Sequence, residues 1–330
     1  MLRSLFRTIF WIVALLAVAV GGFRLAADQR ERFRAEDLLP ENGGFTETTH
    51  GRLHAIDIGP KDGPAVLLIH GAFTWSGMWQ GTMQALANEG YRAIALDLPP
   101  MGLSDRDNFT EYSRQAQGLR ILAFIEAKGI RPTIVAHSFG AGAAAEAMLA
   151  APEAFEGAVL VSGVLTLGQD GTGQEIPWPF GSEILREIAA ANSVTNPHLT
   201  GPLLTRLVHR NEAITDELVA RVNHPFMRQG TTDTIARWAP TLFVPPRGAA
   251  STRPESFQSL ALPVALIWGR EDQITPPDQA IQLQAALGEA PLFWIADVGH
   301  MPQIEAPTQF NAILSEALAL VGARTAIPEN

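Results

Sequence analysis

Apolar residues along this 330-residue chain come in short unbroken runs separated by longer stretches of helical period. The runs at 65–69 (AVLLI), 93–96 (AIAL), 158–161 (AVLV), 264–268 (VALIW) and 292–295 (LFWI) are bounded mainly by glycine, proline and polar residues. Continuous runs of this length predict strands buried on both faces of a parallel sheet, because an exposed face would demand alternation. Segments near 76–89, 113–128, 141–151, 278–287 and 308–321 predict the intervening helices. One stretch, 44–59, does alternate, around His50-Gly51, and predicts an edge hairpin with His50 and His54 on its surface. Strand and helix in repeated alternation predict an α/β fold with a mostly parallel, doubly wound sheet. Sites in such sheets gather at the carboxyl ends of the strands.

The alternation stops near 165 and resumes near 261. Between them lie helical segments near 182–191, 215–222 and 232–238, punctuated by Pro177, Pro179, Pro197, Pro202, Pro240, Pro245 and Pro246. This predicts a helical insertion, a cap over the strand ends. The division expected is an N-terminal segment (1–24), a linker (25–43), the first part of the core (44–164), the cap (165–260), the second part of the core (261–323) and a tail (324–330).

The N-terminal segment differs from the rest. Arg3 and Arg7 precede an apolar run at 9–23, and Arg24 follows it. As a helix that run is about 22 Å long at ~1.5 Å per residue, against a hydrocarbon core of ~30 Å; snorkelling arginines would stretch it. A basic start before an apolar run is signal-like. It predicts either a single-span membrane anchor or a cleaved secretory signal. The leucine of Leu25-Ala26-Ala27 suits cleavage poorly and favours the anchor. The expected placement is a bacterial inner membrane with the catalytic domain extracytoplasmic, the alternative being secretion. The charged stretch 28–42 reads as a linker or short surface helix.

Composition narrows the chemistry. The net charge of −10 argues against nucleic-acid binding. The absence of cysteine excludes disulfides, thiolate metal sites and a cysteine nucleophile. No phosphate loop or dinucleotide fingerprint is present, so no cofactor is expected. His198, His209 and His224 are too widely spaced for a local metal motif.

The stretch TIVAHSFGAG, 133–142, reads as strand, sharp turn and helix with Ser138 at the apex. A serine hydroxyl becomes a useful nucleophile only when fixed in position beside a base. The stretch resembles the G-x-S-x-G nucleophile elbow of the α/β-hydrolase superfamily, with Ala136 in place of the first glycine. Three further pieces resemble that superfamily's loops. His70-Gly71-Ala72-Phe73 resembles the oxyanion loop, which implies the backbone N–H groups of Ala72 and Phe139 as donors, with Phe73 as the alternative. The 268–276 segment resembles the loop of the triad acid, which maps to Asp272, with Glu271 read as a solvated neighbour. The 297–302 segment resembles the histidine loop, with His300 as general base. The chain order Ser138, Asp272, His300 is the superfamily's. The 97–105 turn, His70 and His137 are read as structural.

The resemblance covers about 45–321. It implies a serine hydrolase with a helical cap, working by two-step acyl transfer on a small to medium hydrophobic ester. Carbon–carbon bond hydrolysis, or lactonase- or haloperoxidase-like activity, would use the same parts. A catalytically inactive, membrane-tethered binding protein is the reading from another class. Phe73, Trp75, Met78, Phe139 and Met301 are the candidate pocket residues on the core side. Trp178, Phe180, Phe226, Met227, Trp238 and Phe243 are those from the cap. The oligomeric state is left open.

Overall fold

A computed structural model of the chain describes residues 2–106, 111–178 and 180–325. In chain order the elements are α1 (Leu2–Arg30), β1 (Gly43–Thr48), β2 (Gly51–Ile58), β3 (Ala65–Ile69), α2 (Gln80–Asn88), β4 (Arg92–Leu96), α3 (Arg114–Lys128), β5 (Thr133–His137), α4 (Phe139–Ala150) and β6 (Gly157–Val161). Then follow α5 (Glu183–Ala191), α6 (Pro197–Leu204), α7 (Asp216–Asn223), α8 (Thr231–Trp238), α9 (Pro254–Gln258), β7 (Val264–Gly269), α10 (Pro277–Ala286), β8 (Leu292–Ile295), α11 (Pro302–Glu305) and α12 (Pro307–Thr325).

Among the described residues the strands form one eight-stranded sheet in the order β1-β2-β4-β3-β5-β6-β7-β8. β2 is antiparallel to β1 and β4, and every other pair is parallel. Helices cover both faces. Leu67, Ile69, Ile134, Leu160 and Leu266 pack on Phe124 of α3, the alanines of α4 and Leu283 of α10. Their alternates Val66, Leu68, Val135, Val159 and Ile267 pack on Met83 and Leu86 of α2 and on Phe310, Leu314 and Leu318 of α12. Burial on both sides is why the strand runs are continuous in sequence. The chain moves from β3 outward to β4 and then returns to the other side of β3 as β5, so the strand order reverses there and opens a crevice at the carboxyl ends.

Among the described residues five short helices, α5 to α9, stand in the insertion between β6 and β7. α6 was not expected, because Pro197 and Pro202 read as breakers. Pro197 instead opens the helix, where its missing N–H is no loss, and the Asn196 side chain caps it by accepting from His198 N.

The 28–42 stretch is not a free linker. α1 continues unbroken to Arg30, and Ala27, Glu31, Ala35 and Leu38 are buried. Glu31 accepts from the backbone and hydroxyl of Thr232, Arg30 donates to the Thr195 carbonyl, and Phe33 bridges to Arg228. The chain leaving α1 is thus docked on the cap. The expectation of a membrane span finds no support: among the described residues no helix is long and apolar enough to cross a membrane. The apolar run is short, and the helix ends in charged residues that bind protein. Its outer part presents Leu5, Phe6, Ile9, Phe10, Trp11, Ile12, Leu15 and Val18 to the exterior.

His54 is likewise not a surface residue. β2 is paired on both edges, and the ring lies fully buried between Phe45 and Trp75 with Nδ1 2.7 Å from Asp97 Oδ2. Asp97 also accepts from Ser76 N at 2.7 Å and Leu103 N at 2.8 Å, which holds the 97–105 turn as expected. Burial raises the cost of its charge, but His54, His70 and the Ser76 amide outweigh that and hold the carboxyl below the usual range. Asp97→Ala strands these buried donors. It is expected to cost about 3–5 kcal/mol, read as a lower urea midpoint at unchanged slope; a loss under about 1 kcal/mol, the net worth of one ordinary hydrogen bond, would show that the pairing contributes little.

Candidate active site

β5 ends at His137 and α4 begins at Phe139, so Ser138 alone makes the turn, at φ 54 and ψ −124. The left-handed backbone of a non-glycine residue is strained, and the surrounding bonds hold it: Ser138 N donates to Val161 O, and Ser138 O accepts from Ala141 N and Val164 N. A Cβ at Gly140 would collide with the His70 carbonyl oxygen, which explains the small residue there.

The elbow, the β7 loop and the β8 loop bring three distant side chains together. His300 Nε2 is 2.8 Å from Ser138 Oγ, and His300 Nδ1 is 2.9 Å from Asp272 Oδ2. All three are buried, Ser138 at 7%, His300 at 3% and Asp272 at 2% exposure. Asp272 accepts further bonds from Ile274 N and Thr275 N at 2.9 Å and from Thr275 Oγ1 at 2.7 Å. Burial works against its charge, yet the bonds from His300 and Thr275 prevail and hold the carboxyl below its ordinary value. An ionised Asp272 can only accept, so the proton of a neutral His300 sits on Nδ1 and the Nε2 lone pair faces the serine hydroxyl.

The oxyanion-loop candidate lies beside the serine. Gly71 O accepts from His70 Nδ1 at 2.8 Å and Thr74 Oγ1 at 2.9 Å, while Leu98 N donates to His70 Nε2 at 3.0 Å. His70 therefore ties the loop to the end of β4, the structural role expected of it. The Gly71–Ala72 peptide is planar and trans, so the Ala72 N–H points away from that anchored carbonyl. The first N–H groups of α4, Phe139 among them, have no intrahelical partner.

The side chains around the serine are apolar. Trp238, from the cap, meets Phe73 and Phe139 edge to face at 5.3 and 5.1 Å, and Met78, Met301, Met101 and Tyr112 belong to the same buried cluster. Phe226 joins it. Trp75 does not: its indole donates to Arg221 O at 2.8 Å and its ring stacks on His224, in a separate cluster with Ala35, Leu38 and Leu103 that Met227 borders. Trp178 is 88% exposed, and Phe180 stacks on the exposed Phe243. Sequence reasoning missed Thr275, although its place three residues after Asp272 is the signal of a side chain closing an Asx-type turn. It also read Glu271 as solvated, whereas its carboxylate accepts from Val298 N at 3.0 Å and braces the histidine loop. Glu183, Glu187 and Asp233 on the cap stand close enough to share a cation, but ion pairs with Arg24 and Arg237 engage them.

His137 braces His300 from the core side, donating Nε2–H to the His300 carbonyl at 2.8 Å with the rings 5.0 Å apart. Burial, then the neighbouring His300, push its pKa down to about 3 from 6.5. The folded state thus binds fewer protons than the unfolded one below 6.5, so stability is complete above that value and falls as pH drops toward 3. His137→Gln, which keeps a donor, is expected to flatten the loss of stability between pH 6.5 and 4 by up to about 1.4 kcal/mol per pH unit. Urea titrations at stepped pH measure it; an unchanged pH slope would refute the assignment.

Comparison with known proteins gives the same architecture. Residues 64–307, more than half of the chain, match the family model described as the alpha/beta hydrolase fold. A 2-hydroxy-6-oxononadienedioate/2-hydroxy-6-oxononatrienedioate hydrolase of Burkholderia vietnamiensis is 28% identical over 276 residues, 82% of this chain and 92% of its own. A meta-cleavage product hydrolase from Pseudomonas fluorescens superposes with a TM-score of 0.68 at 25% identity, over 84% of this chain and 98% of that one. A membrane phospholipase A superposes with a TM-score of 0.67 at 19% identity, over 97% of this chain and 99% of that one. Sheet order, capped strand ends and the family match agree, and the chain belongs to the alpha/beta hydrolase fold family.

Proposed function

We propose that this hydrolase cleaves neutral, hydrophobic carboxylic esters, with Ser138 as nucleophile, His300 as base and Asp272 as the orienting acid. The single observation that carries the reading is the His300 ring held at 2.8 Å from Ser138 and 2.9 Å from Asp272. His300 Nε2 takes the hydroxyl proton as Ser138 Oγ attacks the ester carbonyl. The developing oxyanion accepts from the Ala72 and Phe139 amides; losing one such donor costs roughly 3–4 kcal/mol. His300 then protonates the departing alcohol, and a water activated by the same nitrogen releases the acid. Asp272 balances the transient imidazolium.

The lining favours a neutral substrate. The described residues around the cavity beside Phe139 and Gly140 include no Lys or Arg. Burying an unpaired carboxylate there would be costly. Carbon–carbon bond hydrolysis is the second reading, favoured by the likeness to the Burkholderia enzyme, whose named substrates are dioates and thus twice charged. That cavity measures only about 10 Å³, room for one water, so a substrate of either kind enters when the cap moves.

The exposed apolar side chains of α1 support a second part of the proposal, attachment of the hydrolase to a membrane surface through this helix. The likeness to the membrane phospholipase A runs over nearly the whole chain and is a likeness of fold.

Purified chain is expected to hydrolyse p-nitrophenyl butyrate and to be labelled by a fluorophosphonate. Ser138→Ala should lose both, with turnover down at least about 10³-fold; retained turnover would exclude the nucleophile. Faster cleavage of a 2-hydroxy-6-oxo-dienoate than of any neutral ester would replace the ester reading with the carbon–carbon one. In vesicle flotation, the protein should rise with phosphatidylcholine vesicles, and Phe6→Glu with Trp11→Glu should stay in the dense fraction with ester turnover unchanged. Co-flotation of the double variant would refute attachment through α1.

A further inference from the structure

Glu305 ends α11 and is 6% exposed. Its carboxylate accepts from the backbone N–H groups that flank His300: Gly299 at 3.1 Å to Oε1 and 3.0 Å to Oε2, and Met301 at 3.0 Å to Oε1. The same carboxylate accepts from two backbone N–H groups of the cap, His209 at 2.7 Å and Arg210 at 3.0 Å, both to Oε2. Next to it, His300 N donates to the cap carbonyl of Leu207 at 3.0 Å. The two segments lie so close that a Cβ on Gly299 would stand 2.7 Å from His209 N.

These bonds divide the support of the base into two parts. Its carbonyl is held from the core, by His137. Its own N–H and those of both neighbours are held by the cap, or by a carboxylate shared with the cap. Bonds from amides to a carboxylate are charge-assisted and strong, and a buried carboxylate stripped of donors is expensive. The outer links between the segments, from His209 and Arg210 to the exposed Asp297, are of the kind that contributes little.

We propose that Glu305 is a positioning residue that couples the seating of cap segment 207–210 to the alignment of His300. With the segment seated, the imidazole stands between Ser138 and Asp272. When the segment lifts to admit substrate, the histidine loop loses the Leu207 carbonyl, and the carboxylate loses two of its four donors and is free to move. The base is then fully assembled only over a closed site. This inference rests on the proposed hydrolysis for its kinetic consequence and on the bonds alone for its structural one, so the test has two arms.

In the first arm, amide exchange is followed by NMR in the 15N-labelled full chain, without turnover. The amides of His209, Arg210, Gly299 and Met301 are expected to exchange through one common opening in the wild type. In Glu305→Gln, whose NH2 faces N–H donors, the cap pair should exchange faster than the loop pair. Separate openings in the wild type, or an unchanged pattern in the variant, overturn the coupling. In the second arm, Glu305→Gln should lower kcat on p-nitrophenyl butyrate about 10- to 100-fold, the scale of a misplaced catalytic group, with KM within about twofold. If Glu305→Gln fails to fold, Arg210→Pro serves both arms. It deletes the Arg210 N–H donor together with the guanidinium bonds to Asp297 and leaves the carboxylate in place, so Arg210→Ala, which keeps the N–H and loses the same guanidinium bonds, is its reference. The same loss of kcat is expected, although residue 210 lies in the cap. An unchanged kcat in the folded variant overturns the coupling. A wild type without esterase activity defeats the ester reading and leaves the exchange arm standing.

Discussion

A carboxylate sealed from water stays charged only if donors meet its oxygens, and this constraint organises the whole reactive edge of the sheet. Asp272 satisfies it with two amides, the Thr275 hydroxyl and the His300 imidazole. Asp97, at the end of β4, satisfies it with His54 and two amides. Glu305 satisfies it with four amides. Each buried acid is therefore a template that fixes the backbone of a loop that no helix or sheet ladder could hold. The strand ends supply the positions, and the acids supply the rigidity that a 2.8 Å contact between Ser138 and His300 needs.

Much of this was legible in the sequence because it obeys local rules. Strands buried on both faces must be apolar throughout, so 65–69 coincides with β3 to the residue. Ser138, Asp272 and His300 lie on loops whose local spelling is recognisable, and the structure brings those three side chains together. The misreadings share a cause: each concerned a side chain whose partner comes from elsewhere in the chain. Alternation around His50 predicts a half-exposed hairpin, but the covering of His54 comes from Trp75 and its ring nitrogen is met by Asp97. Glu271 read as solvated because its partner, Val298 N, is 27 residues away. Trp75 was assigned to the pocket by closeness in sequence to the oxyanion loop, whereas the chain turns between Phe73 and Trp75 and sends the indole to Arg221. The proline-rich cap hid α6 because a proline at a first helical position and a proline that breaks a helix look alike without the cap residue's bond.

The N-terminal helix was misjudged for a related reason. Its apolar run and its charged tail were read as separate units, an anchor and a linker, because composition changes sharply between them. The backbone does not change there. One helix carries the run and the first residues of the tail, and its last turns and Glu31 just beyond them are bound to the cap through Arg24–Glu187, Arg30–Thr195 and Glu31–Thr232. Composition reports what surrounds each part of a helix, whereas continuity of the backbone decides whether the parts move together.

That continuity has a mechanical consequence. α1 contacts the cap at α5, Glu31 just after it binds the start of α8, and α8 carries Trp238 onto Phe73 and Phe139 beside the serine. A different part of the cap, 207–210, grips the histidine loop. A cap displaced at α8 uncovers Ser138, and a cap displaced at 207–210 disturbs the histidine loop. If both moved as one body, opening would uncover Ser138 at the moment its base was least well held, and closure would restore both. Under the proposed mechanism the Ser138 hydroxyl would then be most accessible when it is least activated. The helix at the N-terminus is bound to the first part of that cap, through Arg24 to Glu187 and Arg30 to Thr195, so a displacement there would carry the helix with it.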